Sequence, residues 1–142
     1  MFDIIITVII TIKERGDKMK RYSKQRETIL EILRSTKLHP TASVIYERAR
    51  EVIPNISLGT VYRNLHELSV EGEILAFKAF DGSEHYDATV EPHPHMSCNS
   101  CKRIIDLDIP FVSEFVLKSA EHTGAEFNGH HIVFYGKCSD CI

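Results

Sequence analysis

The four cysteines of this 142-residue chain fall into two pairs of equal spacing, Cys98-x-x-Cys101 and Cys138-x-x-Cys141. The two sulfurs of such a pair converge on one side of a metal ion, so two pairs can surround a tetrahedral zinc ion with four thiolates. The pairs are separated by 36 residues, and closing this loop is tolerable because its entropic cost grows only logarithmically with length. We therefore predict one structural zinc site in the C-terminal part of the chain.

Two disulfides in a secreted protein and a redox-active dithiol are the alternatives for these cysteines. The first twelve residues, MFDIIITVIITI, include a largely apolar run of nine residues, whereas about 20 are needed to span a bilayer. Asp3 stands where a secretory signal has basic residues. Cytosolic thiols generally stay reduced, so we expect a cytoplasmic, membrane-free protein with zinc-bound thiolates. A site with four thiolates has no open position for water and is structural, not catalytic.

Residues 1–18 are interpreted separately. Met19 directly precedes the first segment with helical signals, and KERGDK before it resembles a purine-rich ribosome-binding region read as protein. We hypothesise that residues 1–18 are an upstream extension assigned in error. The alternative is a β-strand, because Ile, Val and Thr favour strands, and an unpaired strand would promote association.

Three segments between residues 22 and 72 carry apolar residues at helical spacing. The residues predicted to face a core are Ile29, Ile32 and Leu33, then Val44, Ile45, Ala49 and Val52, then Val61, Leu65 and Leu68. Residues 73–80 and 83–90 follow and have the composition of strands. Asp81-Gly82 between them predicts a hairpin with a two-residue turn. Three helices and a hairpin predict a winged helix-turn-helix domain.

The third helix, which starts at Ser57, takes the position of the helix that enters the DNA major groove. Its polar side chains are candidates for contacts with bases and phosphates. They are Ser57, Thr60, Tyr62, Arg63, Asn64 and His66. Charge favours this interpretation, because residues 18–80 carry a net +4 although the whole chain carries −3. The alternative is an ordinary solvated helix face.

The second half of the chain has a different pattern and a net charge of −6 over residues 81–142. A strand-like KRIIDLDI precedes an amphipathic helix, and AEFNGHHIVFYGKC returns as a strand or hairpin. This α/β unit has about fifty residues, so it needs a metal, a partner subunit or both for stability. The expected fold class is α+β. We divide the chain into a DNA-binding domain (19–88), a hinge with metal ligands (89–95) and a dimerisation domain (96–142).

A second metal site is indicated beside the first cysteine pair. His93 and His95 have i, i+2 spacing, which places both on one face of an extended segment favoured by the neighbouring prolines. Asp87 lies just upstream, and Asp106 lies on a strand that could pair nearby. Imidazole with carboxylate ligands suits manganese or ferrous iron. Taken singly, each histidine could equally be an ordinary surface or core residue.

The order of several motifs makes this chain resemble the ferric uptake regulator superfamily from about residue 20 to residue 142. The stretches that carry the resemblance are HPTASVIYE, ISLGTVYRNL, HYD, HPHMSCNSCKRIID and HHIVFYGKCSDC. Within the superfamily they are most similar to the peroxide-sensing repressors. The resemblance implies a homodimer that binds double-stranded operator DNA through its N-terminal winged-helix domain and dimerises through its C-terminal domain.

The resemblance also assigns the metal ligands. It implies that Cys98, Cys101, Cys138 and Cys141 bind structural zinc, and that His39, Asp87, His93, His95 and Asp106 bind regulatory iron or manganese. Asp87 and Asp106 stand where iron regulators tend to have glutamate. Ferrous iron in such a site would react with hydrogen peroxide, and the resulting oxidant would attack His39 or His93. Loss of a ligand would then end repression.

The resemblance assigns no metal-ligand role to the remaining histidines. Pro92 and Pro94 stand where iron regulators have two ligands of an auxiliary site, so we interpret His122 as structural. We give His85, His130 and His131 no role. An iron- or zinc-responsive uptake repressor of the same superfamily is the nearest alternative function. A metal-dependent hydrolase and a zinc-ribbon interaction module are alternatives of other classes; we expect a regulator and not an enzyme.

Overall fold

The computed structural model describes residues 24–109, 112–127 and 130–142. The hypothesised extension, residues 1–18, lies outside these ranges. Within them, no helix is both long and apolar enough to cross a bilayer.

Three helices build the first unit: α1 (Lys24–Arg34), α2 (Ala42–Val52) and α3 (Leu58–Val70). Their apolar faces form one core with a few residues of the following loops and strand. That core contains Ile29, Leu30, Leu33, Ala42, Ile45, Ala49, Ile56, Val61, Leu65, Leu68, Ile74 and Tyr86. Ser57 caps α3, because its hydroxyl oxygen accepts a hydrogen bond from the Thr60 backbone N–H at 3.1 Å.

The prediction for the buried face of α2 is partly wrong. Ile45 and Ala49 are fully buried, but Val44 is 39% exposed and Val52 is 56% exposed. Val44 lies about a quarter turn away from Ile45, and Val52 is the last residue of the helix. Ala42 takes the third buried position instead.

A two-stranded antiparallel hairpin follows the helices. It consists of β1 (Leu75–Lys78) and β2 (Glu84–Asp87), and Lys78 pairs with Glu84 at the closed end. The predicted two-residue turn is wrong by one residue. The loop comprises Phe80, Asp81 and Gly82, and the Ala79 N–H donates to the Ser83 carbonyl across it at 2.9 Å. Gly82 has φ +81°, which is the left-handed position that a three-residue hairpin loop requires. We call α1–α3 with this hairpin the winged-helix unit.

A three-stranded sheet in the order β4-β3-β5 forms the second unit. Strand β3 (His95–Cys98) is antiparallel to β4 (Ile104–Asp106) and parallel to β5 (Val133–Gly136). Helix α4 (Val112–Thr123) lies between β4 and β5 in the chain. A short 3-10 turn (Ser139–Cys141) follows β5. We call these elements the sheet unit. The two units together confirm the predicted α+β fold, and the residue at the end of the predicted hinge, His95, begins β3.

The two units meet along the hairpin. Phe77 and Ala79 of the hairpin form a small buried cluster with Ile104 of the sheet unit. The Phe80 backbone N–H donates to the Ser97 hydroxyl at 3.3 Å. The hairpin therefore contacts both the helical core and the sheet.

Helix α4 and strand β5 expose large apolar side chains. Phe115 and Leu117 on α4 are 60% and 65% exposed, and Phe134 and Tyr135 on β5 are 48% and 53% exposed. Within the described ranges, α4 has no extensive packing against another helix or strand. In a single copy of the chain, the described apolar side chains of α4 are therefore not packed into a hydrophobic core.

Candidate metal centres and DNA-facing helix

The four cysteines converge at one end of the sheet unit. Cys98 ends β3, Cys101 follows in the next turn, and Cys138 and Cys141 flank the 3-10 turn after β5. All four thiols are free, and their sulfur atoms lie within 4.8 Å of one another. The Sγ atoms of Cys101 and Cys138 are 3.7 Å apart. This separation excludes a disulfide, whose sulfurs are about 2.05 Å apart, and fits the edge of a tetrahedral zinc site, which is about 3.8 Å for Zn–S bonds of about 2.3 Å.

The surroundings of the sulfurs favour thiolates. Backbone N–H groups, first that of Cys101 and then that of Cys138, donate to Cys98 and lower the pKa of its thiol to about 5. Hydrogen bonding with the Cys138 sulfur is the main cause that raises the pKa of Cys141 to about 12. The thiol of Cys141 therefore keeps its proton at neutral pH unless a metal ion takes the place of that proton. The donor set and this charge balance both fit zinc.

Arg103 covers the cysteine cluster from outside, which sequence reasoning missed. Its Nε donates to Cys101 Sγ at 3.3 Å and its Nη2 to Cys138 Sγ at 3.5 Å. Asp140 accepts a further hydrogen bond from the same guanidinium. A basic residue two positions after a cysteine pair is the only sequence signal for this contact.

A second group of ligand-type side chains gathers where the winged-helix unit meets the sheet unit. The loop between α1 and α2 supplies one imidazole, β2 supplies a carboxylate at its end, and the remaining groups come from β3, β4 and the segment before β3. The members are His39, Asp87, His93, His95 and Asp106, and one ligand atom from each lies within 4.8 Å of all the others. In β3 and β4, His95 and Asp106 are direct partners in the sheet register.

The three imidazoles point their Nε2 atoms at the same two carboxylate oxygens. Asp106 Oδ1 lies 2.7 Å from His39, 3.2 Å from His93 and 3.4 Å from His95, and Asp87 Oδ2 lies 3.1, 3.1 and 3.4 Å from the same three atoms. Two ligands at right angles, each about 2.1 Å from a metal ion, are about 3.0 Å apart. The spacing therefore fits five ligands around one divalent cation.

Hydrogen bonding at His93 supports a cation at this place. Its Nδ1 lies 2.8 Å from the Glu91 carbonyl oxygen, and a carbonyl only accepts, so Nδ1 carries the hydrogen. In the neutral ring the Nε2 lone pair then faces the carboxylates of Asp87 and Asp106. Lone pair and carboxylate repel each other unless a proton or a metal ion lies between them.

The pKa shifts agree with a site that attracts positive charge. Burial alone would raise the pKa of Asp87, but hydrogen bonds from His39, His95 and the Thr89 backbone N–H outweigh it and hold the pKa below its ordinary value. Burial alone would lower the pKa of His39, but Asp87 and Asp106 outweigh it and raise that pKa. Positive charge on His39 and negative charge on Asp87 are thus both favoured.

The cluster is closed on one side and open on the other. The side chains of His39 and His95 are 2% and 1% exposed, whereas those of His93 and Asp106 are 19% and 36% exposed. Phe77 of β1 forms part of the closed wall, with its ring stacked on His95 at a centroid distance of 4.2 Å. A small molecule can therefore reach the cluster from the side of His93 and Asp106.

Helix α3 presents most of the predicted DNA-contacting side chains. Ser57, Tyr62, Arg63 and His66 are exposed and Thr60 is half-buried. The expectation that Asn64 belongs to this exposed face is wrong. Asn64 is buried, and its amide donates to the Thr60 carbonyl one turn earlier at 2.8 Å.

Comparisons with known proteins agree on one family. The model of the Ferric uptake regulator family matches residues 17–135. The peroxide operon regulator of Bacillus subtilis (strain 168) is 34% identical over 131 residues, which cover 92% of this chain and 88% of that protein. The peroxide-responsive repressor PerR of Staphylococcus aureus (strain USA300) is 32% identical over 121 residues, 85% of this chain and 82% of that protein.

Solved structures show the same fold. The Campylobacter jejuni peroxide stress regulator superposes with a TM-score of 0.74 at 28% identity, over 94% of this chain and 98% of that chain. The Helicobacter pylori ferric uptake regulator Fur, whose structure reveals three functional metal binding sites, superposes with a TM-score of 0.74 at 26% identity. That match covers 98% of this chain and 91% of the other.

Proposed function

This chain belongs to the ferric uptake regulator family, and we propose that it is a homodimeric, metal-dependent DNA-binding repressor that responds to peroxide. The observation that carries the proposal is the convergence of five ligand side chains from both units on one point. At that point we assign regulatory iron or manganese to His39, Asp87, His93, His95 and Asp106. At the separate cysteine cluster we assign structural zinc to the four thiolates.

A cation at the five-residue site ties the two units together. His39 and Asp87 belong to the winged-helix unit, whereas His95 and Asp106 belong to the sheet unit. A ligand that binds only one relative orientation stabilises it by about 2.7 kcal/mol at a hundredfold excess over Kd. Binding thus shifts the population toward the orientation that brings all five side chains together.

DNA binding is assigned to α3. Arg63 and Tyr62 are exposed on this helix, and an exposed guanidinium is suited to a phosphate or a guanine edge. In a dimer, a fixed orientation of the units sets the spacing between two copies of α3, which must be about 34 Å to reach successive major-groove half-sites. Metal binding and operator affinity are coupled in this way.

Dimerisation is assigned to the sheet unit. Large apolar side chains are exposed on α4, at Phe115 and Leu117, and on β5, at Phe134 and Tyr135, and a second copy of the chain would cover part of this exposed area. This pairing would also give α4 the packing partner that it lacks in one chain.

The response to peroxide is assigned to the histidine ligands. Ferrous iron held by these five residues would supply the redox chemistry that splits the peroxide O–O bond. One peroxide oxygen would be inserted into a C–H bond of a ligand imidazole, and the other would leave as water. The open side of the cluster, bordered by His93 and Asp106, admits the peroxide, and His39 and His93 are the two rings closest to Asp106. An oxidised imidazole ring no longer offers its ordinary lone pair, so the two units lose a shared ligand. The names of two relatives, a peroxide operon regulator and a peroxide-responsive repressor, support this assignment.

The test combines DNA binding with mass spectrometry. An operator is first selected from random double-stranded DNA with Mn2+-loaded protein, and its Kd is then measured with Mn2+ or ferrous iron, before and after hydrogen peroxide. We expect peroxide to weaken binding only with iron, together with a +16 Da change that fragmentation places on His39 in tryptic peptide 38–48 or on His93 in peptide 79–102. Fragmentation is needed because peptide 79–102 also contains Met96, whose sulfoxide has the same mass change. Mn2+-loaded protein is the matched control.

Two results would contradict parts of the proposal. Iron-dependent DNA binding that survives peroxide, with neither peptide oxidised, would exclude peroxide sensing and favour an uptake repressor of the same family. DNA binding that is equal with and without metal would exclude metal dependence.

A further inference from the structure

We propose that His85 is a positioning residue of the five-residue site: it fixes the backbone of His39 and thereby connects the loop of the hairpin to the metal ligands. The inference rests on the proposed function, in that the five residues are taken to bind a regulatory cation.

The backbone of His39 needs support from outside its own loop. Its φ is +49°, in the left-handed region that non-glycine residues adopt only when their surroundings hold them there. The His39 carbonyl oxygen lies 2.6 Å from Nδ1 of His85. Because a carbonyl only accepts, His85 Nδ1 is the donor. The next carbonyl, that of Pro40, accepts from the Tyr86 backbone N–H at 3.2 Å, so β2 holds this loop at two successive residues.

The imidazole of His39 has no second anchor of the usual kind. A metal-binding histidine almost always donates its other ring N–H to a carboxylate, a carbonyl or water, which fixes the ring orientation. Nδ1 of His39 is buried and has no hydrogen-bond partner in the part of the chain that the structure describes. The direction of His39 Nε2 therefore depends on the backbone of the residue and on the rings packed around it. The hydrogen bond from His85 acts on that backbone.

His85 is itself fixed from the hairpin loop. Its Nε2 lies 2.9 Å from the Ser83 hydroxyl oxygen, which also lies 2.5 Å from Asp81 Oδ1. With Nδ1 as the donor to His39, the neutral ring accepts the Ser83 hydroxyl hydrogen at Nε2. Asp81 accepts from the Ser83 backbone N–H at 3.0 Å. A continuous chain of hydrogen bonds thus runs from the loop residue Asp81 through Ser83 and His85 to the carbonyl of His39.

Ring packing holds the same residues from the side. Phe77 is stacked against His85, at a centroid distance of 6.3 Å, and against His95, at 4.2 Å. It also meets His39 edge-on at 5.9 Å. The same phenyl ring thus contacts His85 and two of the proposed ligands. A change at the hairpin loop reaches His39 through the hydrogen bond from His85, and a change at His39 reaches the loop by the same route.

The test compares three substitutions of His85 in zinc-loaded, full-length protein. In His85→Asn the side-chain amide stands at the position of Nδ1 and can still donate to the His39 carbonyl. In His85→Gln the amide stands near the position of Nε2, and His85→Leu keeps bulk without a donor. The Kd for Mn2+ is measured from the electron paramagnetic resonance signal of free Mn2+, and the zinc content and unfolding temperature are measured without Mn2+.

We expect His85→Leu and His85→Gln to raise the Kd for Mn2+ by about tenfold or more, and His85→Asn to stay within about threefold of the parent. Zinc content should be unchanged in all three. Ser83→Ala removes only the contact at Nε2 of His85 and should raise the Kd for Mn2+ by a smaller factor. It replaces His85→Leu in the test if that variant does not fold.

An equal rise in Kd in His85→Asn and His85→Leu would overturn the inference. Parental affinity in His85→Leu would also overturn it, as would parental affinity in Ser83→Ala where that variant replaces His85→Leu.

The parent and Asp106→Asn separate this inference from the proposed function. If Asp106→Asn binds Mn2+ at least about tenfold more weakly than the parent, but all His85 variants bind like the parent, only the role of His85 fails. If the parent shows no Mn2+ binding, the regulatory site itself fails.

Discussion

Nε2 of His39 lies 2.7 Å from Oδ1 of Asp106, so a side chain from the loop between α1 and α2 directly contacts the end of β4. This contact crosses from the winged-helix unit to the sheet unit. Asp106→Asn keeps the shape of the side chain and removes its charge. We expect the Kd for Mn2+ to rise by about tenfold or more when zinc-loaded protein is titrated with Mn2+. Elemental analysis should show an unchanged zinc content.

Asp108→Asn is the matched control for that substitution. Asp108 is exposed two residues further along and lies outside the ligand cluster. An equal effect of the two substitutions on Mn2+ affinity would show that net charge, and not ligation by Asp106, is responsible.

The affinity for Mn2+ should rise with pH. Metal binding requires neutral imidazole, and the pKa of His39 is raised because Asp87 and Asp106 outweigh the effect of burial. Below that pKa a proton competes with the metal, so each unit of pH should change the apparent Kd by up to about tenfold. Isothermal titrations between pH 6 and pH 8 measure this, and a constant Kd over the range would contradict it.

With zinc bound and the five-residue site empty, the winged-helix unit should show the opposite trend in stability. A raised pKa of His39 means that its ion pairs contribute fully below the pKa of the unfolded chain, near 6.5. That contribution is lost as pH rises through the higher pKa of the folded state. Zinc-loaded protein without manganese or iron should therefore lose this contribution toward alkaline pH in chemical denaturation, and His39→Asn, which lacks it, should lose less; equal pH dependence of the two would contradict the assigned direction.

Cys98→Ser should release the zinc ion. A serine oxygen is a far weaker zinc ligand than a thiolate, and structural zinc binding is part of the folding free energy. We expect zinc content to fall below about one tenth of the parent value and the sheet unit to unfold at least about 10 °C lower. Elemental analysis and calorimetry measure the two effects. Ser100→Ala, between the same two cysteines, should leave both unchanged.

Lys102→Gly should stabilise the protein. Lys102 has φ +64° directly after the first cysteine pair, where a side chain is strained by about 1–2 kcal/mol and glycine is not. The greater freedom of glycine in the unfolded chain offsets part of this gain, so we expect about 0.5–1 kcal/mol in urea unfolding of the zinc-loaded protein. Lys102→Ala keeps the strain and should give no such gain; equal stability of the two variants would refute the argument.

Arg63→Ala should weaken operator binding and reduce its salt dependence. Removing one phosphate contact lowers the slope of log K against log salt concentration by about 1. Lys118→Ala on α4 removes the same charge from the sheet unit and should leave the slope unchanged. An unaltered slope in Arg63→Ala would mean that Arg63 does not contact a phosphate.

Local patterns predicted the parts of the molecule that are held by local geometry. Strand alternation predicted that His93 and His95 share one face, with Asp106 on a strand that could pair nearby, and in the structure His95 is the direct partner of Asp106. The spacing within each pair predicted the gathering of the cysteines. The position of His39 has no local signal, because it depends on how the loop after α1 meets the sheet unit. It entered the predicted site only through resemblance to a family.

The wrong predictions have equally local causes. Asn64 satisfies a backbone carbonyl of its own helix, which residue type alone does not reveal. The hairpin loop places Gly82 third and not second, a shift of one residue that turn composition does not resolve. The contacts of His85 with His39 and of Arg103 with Cys138 join residues distant in the chain, so only the folded arrangement reveals them.

Strand β3 begins with His95 and ends with Cys98, so one rigid strut about 10 Å long serves both proposed ion sites. Backbone hydrogen bonds to β4 and β5 hold this strand along its length, and zinc bound at Cys98 would add a further restraint at its far end. Loss of zinc is therefore expected to loosen the strand that carries His95. In a cell starved of zinc, the second metal would then bind more weakly even when it is abundant.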